Sequence, residues 1–273
     1  MPNEQANRIA RAGCVVRQAV DYFAENLGKV ESRWKADKTR VTDADVALSR
    51  ATTAALAKAF PGDDLVSEEE LPEKGSPPRP LDRRFCWVLD PIDGTNNYAA
   101  GLPMCGILLA LLDGGFPVYG WTYDHLLRRL VEGGPGRGLF VDGVAVPPPP
   151  QPDTLDSNAF VTMHFPLGDR YLTRLAPLLR HSTARCLGTS ALHYAYNALG
   201  VFDGSFGCRG KVWDVAAGHA LLAAVGRRMV FLEPKEPFPL REISSDPPSL
   251  VNLAGTEAYL RYTLPLFEDN ASG

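Results

Sequence analysis

The alternation of apolar and polar positions divides the first part of the chain into helical segments. Apolar residues recur at helical spacing from about Asn3 to Leu27, and Gly28 is placed to end that helix. A second, alanine-rich helix is predicted from about Thr42 to Phe60, where Pro61-Gly62 stops it. The charged stretch from Glu31 to Arg40 between the two helices indicates an exposed loop.

Short apolar runs bounded by turn residues predict a series of strands next. The glycine-rich segment Gly133 to Gly138 is interpreted as a hairpin turn, because a strand follows it, whereas a nucleotide-binding loop would lead into a helix. The predicted strands are Phe85 to Leu89, Ile107 to Leu112, Val118 to Tyr123, Arg129 to Glu132 and Leu139 to Val141.

A proline run from Pro147 to Pro150 marks a break, because this composition favours a stiff extended connector. The pattern therefore predicts two halves, residues 1–146 and residues 147–273, each mixing helices and strands. In the second half, strands are predicted at Ala159 to Met163, Val201 to Phe206, Met229 to Leu232 and Leu250 to Ala254, and helices at about Tyr171 to Leu179, Ser190 to Leu199, Asp214 to Ala224 and Thr256 to Tyr262.

The composition is that of an ordinary globular protein. The 273 residues are 45% hydrophobic and 22% charged, with a net charge of −4. This balance predicts no strong attraction to nucleic acid, and no apolar stretch reaches the length of a membrane span. The amino terminus shows no secretion signal, and an odd number of widely spaced cysteines, five in all, favours reduced thiols. We therefore expect a cytoplasmic protein without a nucleic-acid or membrane partner.

The segment after the first predicted strand carries the strongest chemical signal. Trp87-Val88-Leu89 leads directly into Asp90-Pro91-Ile92-Asp93-Gly94-Thr95. Since Pro91 cannot continue a central ladder, the two carboxylates are expected close together where the strand gives way to a loop. Crowded carboxylates repel each other unless a cation lies between them, and oxygen ligands favour Mg²⁺. Gly94 permits close backbone approach, and Thr95 can open a helix whose free amides suit a phosphate.

Three other acidic segments each have a simple local explanation. Ser67-Glu68-Glu69 follows a short apolar run and fits a solvated loop. Asp214 fits the first turn of a helix, where a carboxylate offsets the helix dipole. Thr42 and Asp45 fit a capping box at the start of the second helix. An Asp-rich turn would likewise explain the segment after the strand, so no single segment decides the function.

Taken together, the segments resemble the inositol monophosphatase-like superfamily of Mg²⁺-dependent, lithium-sensitive phosphatases. The run Asp90 to Thr95 is similar to that family's first signature, and Trp213 to Gly218 is similar to its second. Val41 to Asp45 and Ser67 to Glu69 match two lesser motifs, in the family's order. Gly188 to Ala191 resembles the small-residue turn that faces the substrate. Four motifs in order over most of the chain form a specific resemblance.

The resemblance implies a layered α/β fold, an αβαβα sandwich. It also implies a phosphomonoesterase that hydrolyses a small phosphorylated metabolite, such as an inositol or sugar phosphate, with water activated by two or three Mg²⁺ ions. A homodimer is expected. By the same resemblance, residues 1–146 carry most of the metal ligands and residues 147–273 complete the active site with Asp214.

The resemblance also assigns residue roles. Glu68, Asp90 and the Ile92 carbonyl would hold a first metal, and Asp90, Asp93 and Asp214 a second. The remaining assignments concern water, phosphate and substrate. The Thr95 hydroxyl and Glu68 would orient the attacking water, Asp45 with Thr42 would support that network, Lys35 would close over the site, Gly94 and Thr95 would offer N–H groups to the phosphate, and Gly188, Thr189 and Ser190 would face the substrate.

One position departs from the family's pattern. Gly207 stands where inositol-specific members have a glutamate that accepts hydrogen bonds from sugar hydroxyls, seven residues before Asp214. Arg209 and Lys211 add positive charge nearby, either as surface residues or as ligands of a second anionic group. The second interpretation favours a bisphosphate, such as fructose 1,6-bisphosphate or a 3′-phosphoadenosine nucleotide. A non-catalytic phosphatase-like binding or regulatory module is a further alternative.

Overall fold

A computed structural model gives the fold and describes residues 2–34 and 40–268. Seven α-helices are described in these ranges: α1 (Pro2–Asn26), α2 (Asp43–Ala59), α3 (Thr95–Ala99), α4 (Asp169–Leu179), α5 (Ser190–Ala198), α6 (Val212–Ala224) and α7 (Glu257–Thr263), the last followed by a 3₁₀ turn at Leu264–Phe267.

The strands divide at the proline break. The strands before it are β1 (Ser32–Trp34), β2 (Arg40–Thr42), β3 (Asp64–Ser67), β4 (Arg79–Pro80), β5 (Phe85–Asp93), β6 (Gly106–Asp113), β7 (Phe116–Asp124), β8 (Arg129–Gly134), β9 (Gly138–Val141) and β10 (Val144–Val146). The strands after it are β11 (Ala159–Met163), β12 (Ser182–Arg185), β13 (Gly204–Gly210), β14 (Arg228–Glu233), β15 (Glu242–Ile243) and β16 (Leu250–Gly255).

Two large sheets form the framework. The first has the strand order β10-β9-β8-β7-β6-β5-β3 and is antiparallel except for the β3–β5 pair. The second has the order β12-β11-β13-β16-β14, with β11 parallel to both β12 and β13. Two small antiparallel pairs, β1–β2 and β15–β4, complete the described strands.

Alternate side chains of the first sheet enter two different cores, as a sheet covered on both faces requires. Trp87 and Leu109 pack with α1 and α2, whereas Val88 and Leu108 pack with α5 and α6. The second sheet lies across α5 and α6 from the first, and α4 and α7 cover its outer face. The order of layers is therefore helix, sheet, helix, sheet, helix, which confirms the predicted αβαβα sandwich.

The end of β5 differs from the sequence prediction. The strand was expected to end at Leu89, but it continues to Asp93 with a register shift between Asp90 and Asp93 against β6. Its pairing with β3 reaches only Leu89, so Pro91 lies in a bulge beyond that neighbour, where its missing N–H costs no ladder bond. The bulge separates the two carboxylates without ending the strand.

Two further predicted boundaries are corrected. The strand expected from Val201 begins at Gly204, because Gly200 to Asp203 turn to bring the Asp203 carbonyl to the N–H of Thr256. The segment from Glu31 to Arg40 was expected to be a loop, but Ser32–Trp34 pairs with Arg40–Thr42 as β1 and β2. Most other predicted elements are present, with ends displaced by a few residues.

Candidate active site

Three carboxylates meet at the end of β5. Asp90 and Asp93 lie on either side of the bulge, and Asp214 lies in the first turn of α6. One ligand oxygen from each residue can be chosen so that all three lie within 4.8 Å of one another. The two signature motifs, whose residues Asp93 and Asp214 are 121 positions apart in the sequence, therefore meet in one acidic cluster.

Burial strongly disfavours the charged forms of this cluster. The pKa of Asp90 is raised well above its usual value, first by burial and then by the charge of Glu68. Burial, followed by the charge of Asp93, raises the pKa of Asp214 in the same way. Burial raises the pKa of Asp93 to about 6, against the opposing effect of hydrogen bonds led by that from Thr189. Such a cluster is electrostatically unfavourable without a cation.

Glu68 lies beside the cluster rather than inside it. It directly follows β3, and its N–H donates to the Leu89 carbonyl at 3.2 Å. Its side chain is half-buried and is not part of the group of three ligand carboxylates, but its charge is the largest neighbouring influence on the pKa of Asp90. Glu68 therefore adds a fourth carboxylate that influences the group of three electrostatically.

The donor set fits Mg²⁺. Asp90 and Asp93 are buried and Asp214 is half-buried, and all three offer hard carboxylate oxygens. No histidine or cysteine takes part in this group, so the softer ligands that zinc or copper select are absent from it. A divalent cation bound here would offset both the cost of burying these carboxylates and the repulsion between them.

A second polar group connects α2 to the cluster. Thr42 caps α2, and the Asp45 carboxylate accepts hydrogen bonds from the Thr42 N–H at 2.7 Å and the Thr42 hydroxyl at 2.5 Å. The other Asp45 oxygen lies 3.3 Å from Thr95 Oγ1, which also lies 3.0 Å from the Ile92 carbonyl oxygen. The Thr95 hydroxyl is thus held between a carboxylate and a backbone carbonyl that were both assigned to the site.

Gly94 must be a glycine at this point. Its φ is +86°, and a Cβ would lie 3.1 Å from the Met104 carbonyl and 3.2 Å from Thr189 Cβ. The helix that follows, α3, is only five residues long, from Thr95 to Ala99. It therefore contributes less to phosphate binding than the long helix that a phosphate-binding N-terminus usually belongs to.

The small-residue turn is fastened to the cluster from the second half of the chain. The Thr189 hydroxyl and the Ala191 N–H both donate to Asp93 Oδ2, so the turn from Gly188 to Ser190 lies against Asp93. Asn97, from α3, donates to the Leu187 carbonyl at 2.8 Å and to the Met104 carbonyl at 2.7 Å. Sequence reasoning did not select Asn97, whose only local signal is its place two residues after Thr95.

Two more polar side chains near the site were not anticipated. Tyr194 is buried in α5, its hydroxyl donates to Asn252 Oδ1 at 2.9 Å, and the charges of Asp214 and Asp93 contribute to its raised pKa, whose main cause is burial. A Cβ on Gly207 would lie 2.7 Å from Tyr194 Oη and 2.9 Å from Asn252 Nδ2. These two side chains fill the space into which a side chain at position 207 would point.

The two predicted cations of this region have different surroundings. Arg209 is exposed, whereas the ammonium of Lys211 donates to the Pro247 carbonyl at 2.5 Å and lies 3.7 Å from an Asp246 oxygen. The N–H of Lys211 donates to Asp214 Oδ2 at 2.5 Å. Lys35, the remaining predicted site residue, lies outside the described residues.

Comparison with known proteins identifies the family of the chain. The model of the inositol monophosphatase family matches residues 3–257. The chain is 39% identical over 198 residues to a probable inositol 1-monophosphatase, ImpA, of Mycobacterium tuberculosis. The matched region covers 68% of each protein.

Solved structures give the same fold. The chain superposes on a staphylococcal inositol monophosphatase-1 in a LiCl-soaked inhibitory complex with a TM-score of 0.81 and 21% identity, covering 98% of this chain and 96% of the other. An IMPase/NADP phosphatase complexed with Mg²⁺ and phosphate gives a TM-score of 0.79 at 23% identity, covering 97% and 96%.

The chain belongs to the inositol monophosphatase family. The resemblance stated from the motifs is therefore confirmed, and so is the class of enzyme, a phosphoric monoester hydrolase.

Proposed function

We propose that the protein hydrolyses a small phosphate monoester with Mg²⁺ held by Asp90, Asp93 and Asp214. The observation that carries the proposal is that these three carboxylates approach within 4.8 Å while burial holds the pKa of each above its ordinary value. The choice of metal is supported by the structure of a similar phosphatase, an IMPase/NADP phosphatase, in complex with Mg²⁺ and phosphate. Glu68 and the Ile92 carbonyl are the neighbouring oxygens that complete the proposed ligand set.

Each side chain around the cluster has a task that its contacts allow. Asp45 accepts two hydrogen bonds from Thr42 and so keeps its second oxygen directed at the Thr95 hydroxyl. Thr95, held in that way, orients a water molecule beside Glu68. We assign the N–H groups at Gly94 and Thr95 to the phosphate, and the turn from Gly188 to Ser190 to the substrate. Mg²⁺ held by Asp90, Asp93 and Asp214 would supply charge neutralisation of the phosphate and a lower pKa for a coordinated water.

The metal assignment is tested with Asp214→Asn. We expect turnover with saturating Mg²⁺ to fall by more than about a hundredfold, since an outer-shell partner alone is worth about 10- to 100-fold. Asp246→Asn is the matched control, because the side chain of Asp246 is 91% exposed, pairs with Lys211 and is not part of the acidic cluster. Mg²⁺ binding is measured by calorimetry on both variants. Unchanged Mg²⁺ affinity in Asp214→Asn would contradict the assignment.

The physiological ester is sought with a panel of inositol, sugar, nucleotide and amino-alcohol phosphates. Phosphate release that EDTA abolishes and Li⁺ inhibits is the expected result, and the LiCl-soaked inhibitory complex of the staphylococcal enzyme supports the second part. Full activity in EDTA on every hydrolysed ester would refute the proposal. Retention of Mg²⁺ binding without release of phosphate from any ester would favour a non-catalytic module.

We also propose that the protein is a cytoplasmic homodimer. Within each chain, the two halves, residues 1–146 and 147–273, would meet at the proline break. The five cysteines are all described as free, which supports a reducing compartment. Among the described helices, none combines the length and the apolar character that crossing a membrane requires. The strands of the first large sheet precede residue 147 in the sequence, and those of the second follow it. One hydrophobic core nevertheless contains both Val88 from the first half and Leu221 from the second, so the two halves pack together. Sedimentation of the purified protein tests the dimer.

A further inference from the structure

The turn before α5 donates hydrogen bonds to the carboxylate of Asp93. The Thr189 hydroxyl and the Ala191 N–H both donate to Asp93 Oδ2. Burial raises the pKa of Asp93, and the hydrogen bonds from Thr189 and from nearby backbone N–H groups oppose that rise. Because a hydroxyl has a single hydrogen, Thr189 gives its hydrogen to Asp93 and has none left to donate to a substrate. Donors of this kind orient a metal ligand, as the outer partners of metal sites commonly do.

Leu187, two residues before Thr189, is held by side chains at both of its backbone polar groups. Its N–H donates to His193 Nε2 at 3.0 Å, and its carbonyl accepts a hydrogen bond from Asn97 Nδ2 at 2.8 Å. Asn97 lies in α3, from the first half of the chain, and His193 lies in α5, from the second. Asn97, Leu187 and His193 therefore form a clamp, called the Leu187 clamp, that fixes the start of the turn.

Asn97 also packs directly against the turn. A Cβ on Gly188, whose φ is +73°, would lie 2.9 Å from Asn97 Nδ2, so a side chain there would displace the Asn97 amide. The same amide donates to the Met104 carbonyl at 2.7 Å, and that oxygen would lie 3.1 Å from a Cβ on Gly94. One amide group therefore contacts both the segment that packs on Gly94 and the turn that donates to Asp93.

His193 can accept the Leu187 hydrogen bond only while its ring is neutral. His193 is 1% exposed, and burial, followed by the charge of His164, lowers its pKa well below the usual value. Because Nε2 is the acceptor, the ring hydrogen lies on Nδ1. The His164 ring packs edge-on against His193, with 4.5 Å between the ring centroids, and limits its rotation. His193 is therefore a fixed acceptor near neutral pH.

We propose that Asn97 and His193 are positioning residues of the metal site. By clamping Leu187, they hold the Thr189 hydroxyl against Asp93 and thereby raise the affinity of the acidic cluster for Mg²⁺. The inference rests on the proposed function, since Asp93 must be a metal ligand for the clamp to matter. Both side chains are engaged with the backbone of Leu187, so each acts through the turn rather than by contact with the cation.

The test measures Mg²⁺ binding by calorimetry without substrate, together with the melting temperature in EDTA, for the wild type and three single variants. Thr189→Val removes the hydroxyl at nearly constant volume, Asn97→Ala removes the donating amide, and His193→Leu removes the acceptor. We expect each variant to bind Mg²⁺ about ten- to a hundredfold more weakly than the wild type, because this is the usual effect of losing an outer partner of a metal ligand.

Control variants separate positioning from a loss of stability. Thr263→Val removes another buried threonine hydroxyl, which donates to the Tyr259 carbonyl at 2.7 Å in α7, and it should retain the wild-type Mg²⁺ affinity. His193→Gln keeps an acceptor that reaches the position of Nε2 and should recover part of the affinity lost in His193→Leu. The double variant Asn97→Ala/Thr189→Val should bind Mg²⁺ no more weakly than Thr189→Val, because Asn97 acts through that hydroxyl.

Wild-type Mg²⁺ affinity in Thr189→Val would overturn the inference, and this variant decides the matter even if another does not fold, because it keeps the shape of the side chain. Wild-type affinity in Asn97→Ala and His193→Leu, with lowered melting temperatures, would leave the clamp only a structural role and would overturn the inference too. So would a double variant in which the two losses multiply. In each of these cases the wild type still binds Mg²⁺ and releases phosphate, so the proposed function stands. Absence of Mg²⁺ binding by the wild type would instead refute the proposed function and this inference with it.

Discussion

The hydroxyl of Thr189 donates a hydrogen bond to the carboxylate of Asp93, although 96 residues separate them along the chain. The N–H of Ala191, in the first turn of α5, donates to the same oxygen. Asp93 therefore has two tasks, since a proposed metal ligand from β5 also serves as the acceptor at the start of a helix from the second half of the chain. Helix starts need such acceptors because their first N–H groups have no partner within the helix.

These two tasks of Asp93 can be separated by two substitutions. Asp93→Ala removes the acceptor, and loss of a helix cap costs about 0.5–2 kcal/mol. We expect the melting temperature in EDTA to fall by about 2–4 °C for each kcal/mol lost. Asp93→Asn retains an oxygen acceptor and also relieves the repulsion among the metal-free carboxylates, so it should melt at or above the wild-type temperature in EDTA. Both should lose Mg²⁺-dependent turnover. Equal melting temperatures for the two variants would show that the helix does not depend on this acceptor.

Sequence reasoning found the acidic cluster because each motif carries its chemistry locally. Asp90 and Asp93 follow an apolar strand, and Asp214 opens a helix. The sequence alone therefore indicated both the carboxylates and the ends of the elements on which they lie. The resemblance then predicted that these motifs meet, and the structure brings them together. The bulge at Pro91 was interpreted as a strand end, because a proline in a strand and a proline after a strand give the same local pattern.

The packing around Gly207 and the surroundings of Arg209 and Lys211 could not be predicted in this way. Tyr194 fills the space beside Gly207 only because α5 crosses α6 at Gly218, where a Cβ would lie 2.6 Å from Tyr194 Cβ. The difference between Arg209 and Lys211 likewise depends on where the segment around Pro247 returns to α6. Such contacts join residues that are far apart in sequence, and no local periodicity records them.

Thr95→Ala should lower kcat more than it weakens metal binding. The Thr95 hydroxyl lies between Asp45 Oδ1 and the Ile92 carbonyl, outside the group of three ligand carboxylates. Placement of a group for proton transfer is worth about 10²- to 10⁴-fold, so we expect kcat to fall by at least about a hundredfold. Thr95→Ser keeps the hydroxyl and is the control. Mg²⁺ half-saturation is measured for both, and a loss of Mg²⁺ affinity equal to the loss of kcat would make Thr95 a metal-site residue instead.

The ion pair between Arg84 and Asp113 should make stability depend on pH in the acid range. Arg84 binds both Asp113 oxygens at 2.8 Å, and Gln5 donates to one of them at 2.7 Å. The hydrogen bond from Arg84 holds the pKa of Asp113 below its ordinary value. The pair therefore stabilises the fold above the unfolded-state pKa of about 4, and this contribution is lost as pH falls through the lower folded-state pKa.

Thermal unfolding of wild type and Asp113→Asn from pH 7 to pH 3 measures this contribution. The difference in stability should be small at pH 7, because Arg84 is exposed and water screens the pair. It should shrink toward zero as the pH is lowered. A difference that is constant across the range would mean that Asp113 stabilises the fold through contacts other than its charge.

The packing of Tyr194 against Gly207 predicts a coupled pair of substitutions. Gly207→Ala places a methyl group 2.7 Å from Tyr194 Oη, and overpacking of a buried site costs about 1–3 kcal/mol. Tyr194→Phe removes that oxygen but leaves Asn252 Oδ1 without its donor. We expect the double variant to be more stable than the sum of the two single effects by about 0.5–3 kcal/mol, the range found for residues in contact. Urea denaturation of the four proteins gives the coupling. Strict additivity would mean that the strand carrying Gly207 moves away from α5 when a side chain is added. The packing around position 207 would then be adaptable rather than fixed by Tyr194.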